Sequence, residues 1–330
     1  MKPFAYQRPD DAQGAVATVS ADPGAAFLAG GTNLVDHLRL GLATPSTLVD
    51  VTGLTSTEIT DAPDGGLSIG AGVRNADLAA DERVRARYPV LAQALLAGAS
   101  GQLRNMATTG GNLLQRTRCA YFQDLTTPCN KRDPGSGCSA AGGFGRYNAI
   151  LGTSDECVAV HPSDLCVPLA ALDAEVVVVG TGGQRRIPFG EFHRLPGDRP
   201  DLDTTLRPGE LVIAVEIPPL DFAVRSRYRK VRERASYAFA LISVAAALDV
   251  DGGVVRDVRL ALGGVSHRPH RATIAEAALR GRPATEARFR SAIEDELESA
   301  QPGEHNRFKV PLVRNTVVSV LTGLAQEGPR

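Results

Sequence analysis

Apolar residues recur along this chain with two rhythms, and the two alternate. Ala25-Ala-Phe-Leu-Ala29 is a short apolar run that stops at Gly30-Gly31. Leu34, Val35, Leu38 and Leu42 then return at helical spacing, and Thr47-Leu-Val-Asp-Val51 is strand-like again. The run Gly66–Val73 predicts a third strand, and Asn75–Arg87 and Val90–Ala99 predict helices. Periodicity then fades over a glycine-rich stretch, 100–165, and a loop that long is rarely idle inside a compact domain. Regular structure resumes with two β-branched runs, Glu175–Gly180 and Glu210–Ile217, the second closed by Pro218-Pro219. Beyond the prolines, Tyr237–Asp249 and Val254–Leu262 predict strands, and Ala272–Arg280, Thr285–Ala300 and Arg307–Gln326 predict helices. The fold class is α+β: a large domain over 1–220 and a smaller α+β domain over 221–330, without an internal repeat.

A length of 330 residues allows two or three such cores. A net charge of −1 removes any electrostatic case for nucleic acid or an acidic membrane as partner. No run approaches the roughly 18 apolar residues of a membrane span. The N-terminal Met1-Lys-Pro-Phe-Ala-Tyr has no apolar core and no twin arginine, which predicts a cytoplasmic protein, or one exported only when bound to a partner with a leader.

Two glycine turns offer ligand chemistry. In Ala29-Gly-Gly-Thr-Asn-Leu34 the backbone can approach a ligand closely, and Thr32 and Asn33 can cap the helix or bind an anion. In Thr108-Thr-Gly-Gly-Asn112 two hydroxyls stand beside unhindered amides, a nest for pyrophosphate oxygens. Neither has the G-x-G-x-x-G spacing; together they suggest a dinucleotide gripped from two sides. In His161-Pro-Ser-Asp164 the carboxylate can accept bonds from sugar-like hydroxyls, although local pattern favours a plain cap for a helix over Leu165–Ala171.

All five cysteines, Cys119, Cys129, Cys138, Cys157 and Cys166, fall inside or at the edge of the irregular stretch. Disulfides, zinc or an iron–sulfur cluster could explain that bunching. An odd count argues against a disulfide framework, and gaps of nine, eight, eighteen and eight residues lack the C-x₂₋₄-C pairs of zinc sites. Four thiolates from one loop can wrap a [4Fe–4S] cube. Cys119, Cys129, Cys138 and Cys157 are assigned as its ligands, on a loop of about 115–160, and Cys166 as a buried structural thiol. The basic run Arg225–Arg234 would, as a strand, put Tyr228, Lys230 and Arg232 on one face, either solvated or with Lys230 pointing inward at a cofactor. His267-Arg-Pro-His270 reads as a surface turn.

Taken together these motifs, with Gln102-Leu-Arg-Asn105 and Tyr228-Arg-Lys-Val-Arg-Glu-Arg-Ala-Ser-Tyr237, resemble the FAD-binding subunits of the molybdenum hydroxylases, the xanthine dehydrogenase and aldehyde oxidoreductase family. The resemblance spans nearly the whole chain. Most of that family lacks the cysteine insert; Cys119-Ala-Tyr-Phe, Cys129-Asn-Lys-Arg and Pro134-Gly-Ser-Gly-Cys138 are similar to the members that have it, bacterial periplasmic aldehyde oxidoreductase more than 4-hydroxybenzoyl-CoA reductase.

The resemblance implies a two-subdomain FAD domain of the vanillyl-alcohol oxidase type with an Fe–S loop insert, then a small domain of the CO dehydrogenase flavoprotein type. It implies that Ala26, Phe27, Leu28, Ala29, Gly30, Gly31, Thr32, Asn33 and Leu34, with Thr108, Thr109, Gly111 and Asn112, cradle the FAD pyrophosphate. Asp164 would hold the ribityl chain, against the local preference for a cap, while Ile213 and Lys230 would lie by the isoalloxazine. The implied partners are a molybdopterin-binding large subunit and a [2Fe–2S] small subunit. Electrons would pass from the latter to the flavin and on to an external acceptor, and no residue of this chain would act on substrate. A stand-alone FAD oxidoreductase with its own substrate pocket is the rival reading, and a zinc-stabilised scaffold without flavin a second.

Overall fold

The computed structural model describes residues 1–327. Three sheets organise it. The first is parallel and three-stranded, in the order Ala5–Gln7, Thr47–Asp50, Ala25–Leu28. The second has five antiparallel strands, in the order Ile59–Asp61, Leu67–Gly70, Leu211–Ile217, Glu175–Gly180, Gly183–Pro188. The third, near the C-terminus, has four, in the order His270–Arg271, Val254–Gly263, Ile242–Asp251, Ser226–Val231.

Three apolar clusters form the core, and two of them join residues of different sheets. Val176, Val178, Val212 and Val215 share the largest cluster with residues of the helices Pro89–Ala97 and Cys166–Ala171. Each such side chain taken from water contributes roughly 1.5–3 kcal/mol. A second cluster joins Ile242–Asp251 and Val254–Gly263 to the helices Thr273–Leu279, Glu286–Glu296 and Lys309–Gln326. Its members include Ile150 and Leu151 from the irregular stretch. The amides of both donate to the Val265 carbonyl at 2.8 and 3.0 Å, and Gln301 N–H donates to the Ile150 carbonyl at 2.7 Å. Lys309 Nζ donates to the carbonyls of Asn148 and Gly264 at 2.8 and 2.7 Å.

Several expected elements come out differently. The helix expected over Asn75–Arg87 is two, Asn75–Ala80 and Glu82–Arg87, because Asp81 leaves helical geometry and its carboxylate caps the second through Arg83 and Val84 N–H. The strand expected from Tyr237 begins at Ile242; Tyr237 has a φ of 52°, which a strand does not admit. Short helices Gly101–Met106, Thr109–Leu113 and Ala120–Gln123 interrupt the loop read as irregular. His267, expected on a surface turn, is buried, with its Nε2 2.8 Å from Lys131 Nζ.

Candidate functional site

Two adjoining lobes, of about 480 and 530 Å³, share Arg118, Pro162, Asp164, Tyr237, Ala238 and Phe239 as common wall. The turn Gly30–Asn33 edges the first lobe, between strand Ala25–Leu28 and helix Leu34–Leu40. Glycine is needed twice here. A β-carbon on Gly30 would collide with the Met106 carbonyl, and Gly31 has a φ of +71°. Asn33 does not cap the helix, as its sequence position allowed. Its Oδ1 accepts Arg116 N–H at 3.2 Å from across the turn, and its Nδ2 is buried without a partner. A buried donor left unpaired costs about 1–3 kcal/mol unless an acceptor arrives, which suits a ligand rich in oxygens.

The second glycine turn behaves otherwise. Thr108 Oγ1 accepts Gly111 N–H as the cap of Thr109–Leu113. Thr109 bonds the Val73 carbonyl through Oγ1 and N–H, and Gly110 N–H goes to the Ala71 carbonyl. These groups are engaged inside the protein, and Asn112 is the member of the run that lines the lobe.

Asp164 stands in the wall between the lobes. Cys166 N–H is received by Ser163 Oγ at 3.1 Å, so Ser163, not Asp164, supplies the side-chain oxygen at the helix start. The Asp164 carboxylate instead accepts from Tyr228 OH at 2.5 Å and Lys230 Nζ at 2.7 Å. Strand Ser226–Val231 does turn Tyr228 and Lys230 to one face, and Arg232 follows, donating to the Ala97 carbonyl that Lys230 also reaches. Burial, with the Asp164 charge beside it, pushes the Tyr228 phenol well above its ordinary value, so it stays protonated and donates. The inward option for Lys230 is the one realised: its side chain is 3% exposed.

The other predicted residues stand further back. Ala26, Phe27 and Leu28 lie in the half-buried strand behind the Gly30 turn, and Phe27 and Ala29 pack on the small cluster that Ile213 also meets. Leu34 opens the helix after the turn. Sequence reasoning missed Arg118, Gln115, Tyr237 and Phe239 as lining residues. Arg118 sits over the Phe239 ring at 5.4 Å. Its place directly before Cys119 was the available signal.

Cys119, Cys129, Cys138 and Cys157 surround one small cavity with Lys131, Tyr121 and Phe122. The loop is built to present them. Cys129 and Cys138 are paired across an antiparallel bridge. Asn130 Oδ1 receives the amides of Gly135 and Gly137 at 3.1 and 2.7 Å, and Asn130 Nδ2 ties the turn to Glu156, beside Cys157, at 2.6 Å. None of the five cysteines forms a disulfide. Burial pushes the Cys119 thiol up and the Cys157 thiol up to about 12. Such thiols ionise when a cation takes the proton's place. No three of the four gather as closely as one ion requires. Among the described residues, the group with ligating atoms within 4.8 Å of one another is His161, Cys166 and His193.

That second group is a buried pair of imidazoles beside a thiol, with His161 Nε2 and His193 Nδ1 left without partners. His161 Nδ1 accepts Ser163 N–H at 3.4 Å, leaving its proton on Nε2, and His193 Nε2 meets the Leu113 carbonyl at 2.8 Å. Binding an ion through either ring nitrogen would cost His161 that bond. Burial holds His161 well below its ordinary pKa and lowers His193 to about 4, so both rings are neutral.

Residues 2–220 match the family described as the FAD binding domain in molybdopterin dehydrogenase, and residues 226–324 match the CO dehydrogenase flavoprotein C-terminal domain. The chain is 51% identical over 325 residues to the aldehyde oxidoreductase FAD-binding subunit PaoB of Escherichia coli (strain K12), covering 97% of this chain and 98% of that one. It is 27% identical to the glyceraldehyde dehydrogenase medium chain of Sulfolobus acidocaldarius, covering 97% and 95%. Among solved structures, quinoline 2-oxidoreductase from Pseudomonas putida 86 has a similar chain with a TM-score of 0.75 at 26% identity, covering 99% of each. No helix among the described residues is long and apolar enough to cross a membrane.

Proposed function

The chain belongs to the FAD-binding subunits of the molybdenum hydroxylases, and from that premise we propose that it is the electron-transfer subunit of an aldehyde-oxidising complex, carrying both FAD and a [4Fe–4S] cluster. Its partners in this reading are a molybdopterin-binding large subunit, where substrate is oxidised, and a [2Fe–2S] small subunit that feeds electrons inward.

One observation carries the two-cofactor reading. Cys119 and Tyr121 line both the large cleft and the four-cysteine cavity, so a thiol set stands directly against a dinucleotide-sized space. Four cysteines around one small cavity supply the thiolate set that an iron–sulfur cube takes. The 51% identity to an aldehyde oxidoreductase subunit supports the substrate class.

When bound, FAD would supply exchange between one-electron and two-electron traffic, and the cluster one-electron storage. The chain's own residues hold and shield. The Gly30–Asn33 turn admits the ligand's backbone-hugging part, with Asn33 Nδ2 as an open donor. Lys230, fixed by Asp164, keeps a positive charge in the wall of the first lobe, where it favours negative charge on a bound ring system. Arg118, Tyr237 and Phe239 line both lobes where they adjoin.

The test is anaerobic co-expression with a molybdopterin-binding large subunit and a [2Fe–2S] small subunit of the same family, followed by flavin and iron analysis of this chain after separation. The expected result is bound FAD and about four irons per chain, with Cys129→Ser losing the iron and keeping FAD. A fully reconstituted chain with neither iron nor flavin overturns the proposal.

A further inference from the structure

One buried cation outside the cleft is unexplained by the cradle. Lys131, two residues beyond Cys129, is 2% exposed and lines the four-cysteine cavity. All three of its ammonium protons are committed. Nζ donates to the Pro200 carbonyl at 2.8 Å and to His267 Nε2 at 2.8 Å, and pairs with Asp203. An ammonium has no lone pair to offer, so His267 Nε2 must be the acceptor. Its Nδ1–H then donates to the Ala159 carbonyl at 3.1 Å, two residues past Cys157. Burial, then the Lys131 charge, lowers His267 to about 3 and keeps it neutral.

Asp203 also accepts from Arg116 Nε at 2.6 Å. Its own desolvation is outweighed by the two cations, which lower its pKa to about 2. Two cations thus share one carboxylate, so the Lys131 charge at the cavity wall is only partly compensated. A long side chain placed only to fill space would be apolar, because a buried ammonium costs free energy that good pairing merely offsets. The placement is also rigid, since its anchors come from the segment around residue 200 and from the C-terminal domain.

Resting on the cluster reading above, we propose that Lys131 is a positioning residue for the [4Fe–4S] cluster: a fixed positive charge that raises the cluster's reduction potential, with Asp203 as its counterweight. Reduction adds one negative charge to the cluster, so a nearby cation stabilises the reduced form and a nearby anion destabilises it.

The test is a redox titration of the assembled complex, followed by electron paramagnetic resonance, with the flavin midpoint read in the same sample. Lys131→Met is expected to move the cluster midpoint to more negative potential and Asp203→Asn to more positive potential. Lys131→Arg stays near the parent, and the flavin midpoint is unmoved in all three. A merely structural role would move both removals in the same direction, or cost cluster occupancy in both without shifting the remaining signal; either result overturns the proposal. If Lys131→Met fails to assemble, the sign of the Asp203→Asn shift decides alone. A parent complex without a cluster signal sinks the cluster reading first, and this inference with it.

Discussion

Lys230 Nζ lies 2.7 Å from Asp164 Oδ2, with both side chains largely withdrawn from water in the wall of the lobes. Tyr228 OH holds the other carboxylate oxygen. Removing one partner strands a buried charge. Lys230→Met should cost about 3–5 kcal/mol of stability and lower the flavin-to-protein ratio of purified material. The double change Lys230→Met, Asp164→Leu should recover part of the stability but not the flavin. Chemical denaturation and the visible spectrum read the two effects separately.

Gly30→Ala tests the turn. Its new β-carbon would run into the Met106 carbonyl, which is backbone and cannot swing aside. A loss of about 1–3 kcal/mol together with weakened FAD retention is expected. Gly53→Ala is the control, because nothing lies within 4 Å of the added carbon there. Equal flavin loss in both variants would refute the role given to the Gly30 approach.

Cys166 distinguishes ligand from filler. It is fully buried in the main core, away from the cavity that the other four line. Cys166→Ala should therefore leave iron content unchanged while costing about 1–2 kcal/mol for the cavity it opens. Iron loss in this variant, measured by colorimetric assay, would show the ligand set to be misassigned.

Acid sensitivity follows from buried neutral imidazoles. His193 and His267 are lowered to about 4 and about 3 by burial, and His161 well below 6.5. A depressed folded pKa means that the unfolded chain takes up the proton first. The stability these rings contribute is complete above about pH 6.5 and is lost progressively as pH falls toward the folded values. Each contributes up to about 1.4 kcal/mol per pH unit in that window. His193→Phe should flatten the melting-temperature profile between pH 6.5 and 4 by roughly one such slope; an unchanged slope would count against the assignment.

What could be read along the chain were the elements whose burial is written locally. The apolar runs Glu175–Gly180 and Leu211–Ile217 are buried on most positions and stood out at once. Their neighbour Gly183–Pro188 did not, since an edge strand carrying Gln184, Arg185 and Arg186 to solvent has no apolar alternation to detect. Helix Ala12–Ala21 escaped for a related reason: it buries only Ala15 and Val16. In the cleft, the glycine turns were visible as turns, yet their roles diverged through non-local partners. Met106 fills the space beside Gly30, whereas Val73 and Ala71 absorb the donors of Thr109 and Gly110. His267 is the clearest case. Its burial depends on Lys131, 136 positions away, and nothing near it in the chain announces that partner.

Ile150 and Leu151, plugged into the core of the C-terminal sheet, also bear on how such subunits can be recombined. A chimera spliced at Pro218-Pro219 would give the recipient's C-terminal half a mismatched plug, and would leave that half's Lys309 facing the foreign carbonyls of residues 147 and 148. Swaps between relatives with and without the cysteine excursion should succeed only when residues 147–151 travel with the C-terminal half, which makes that short segment, rather than the proline pair, the practical seam of the molecule.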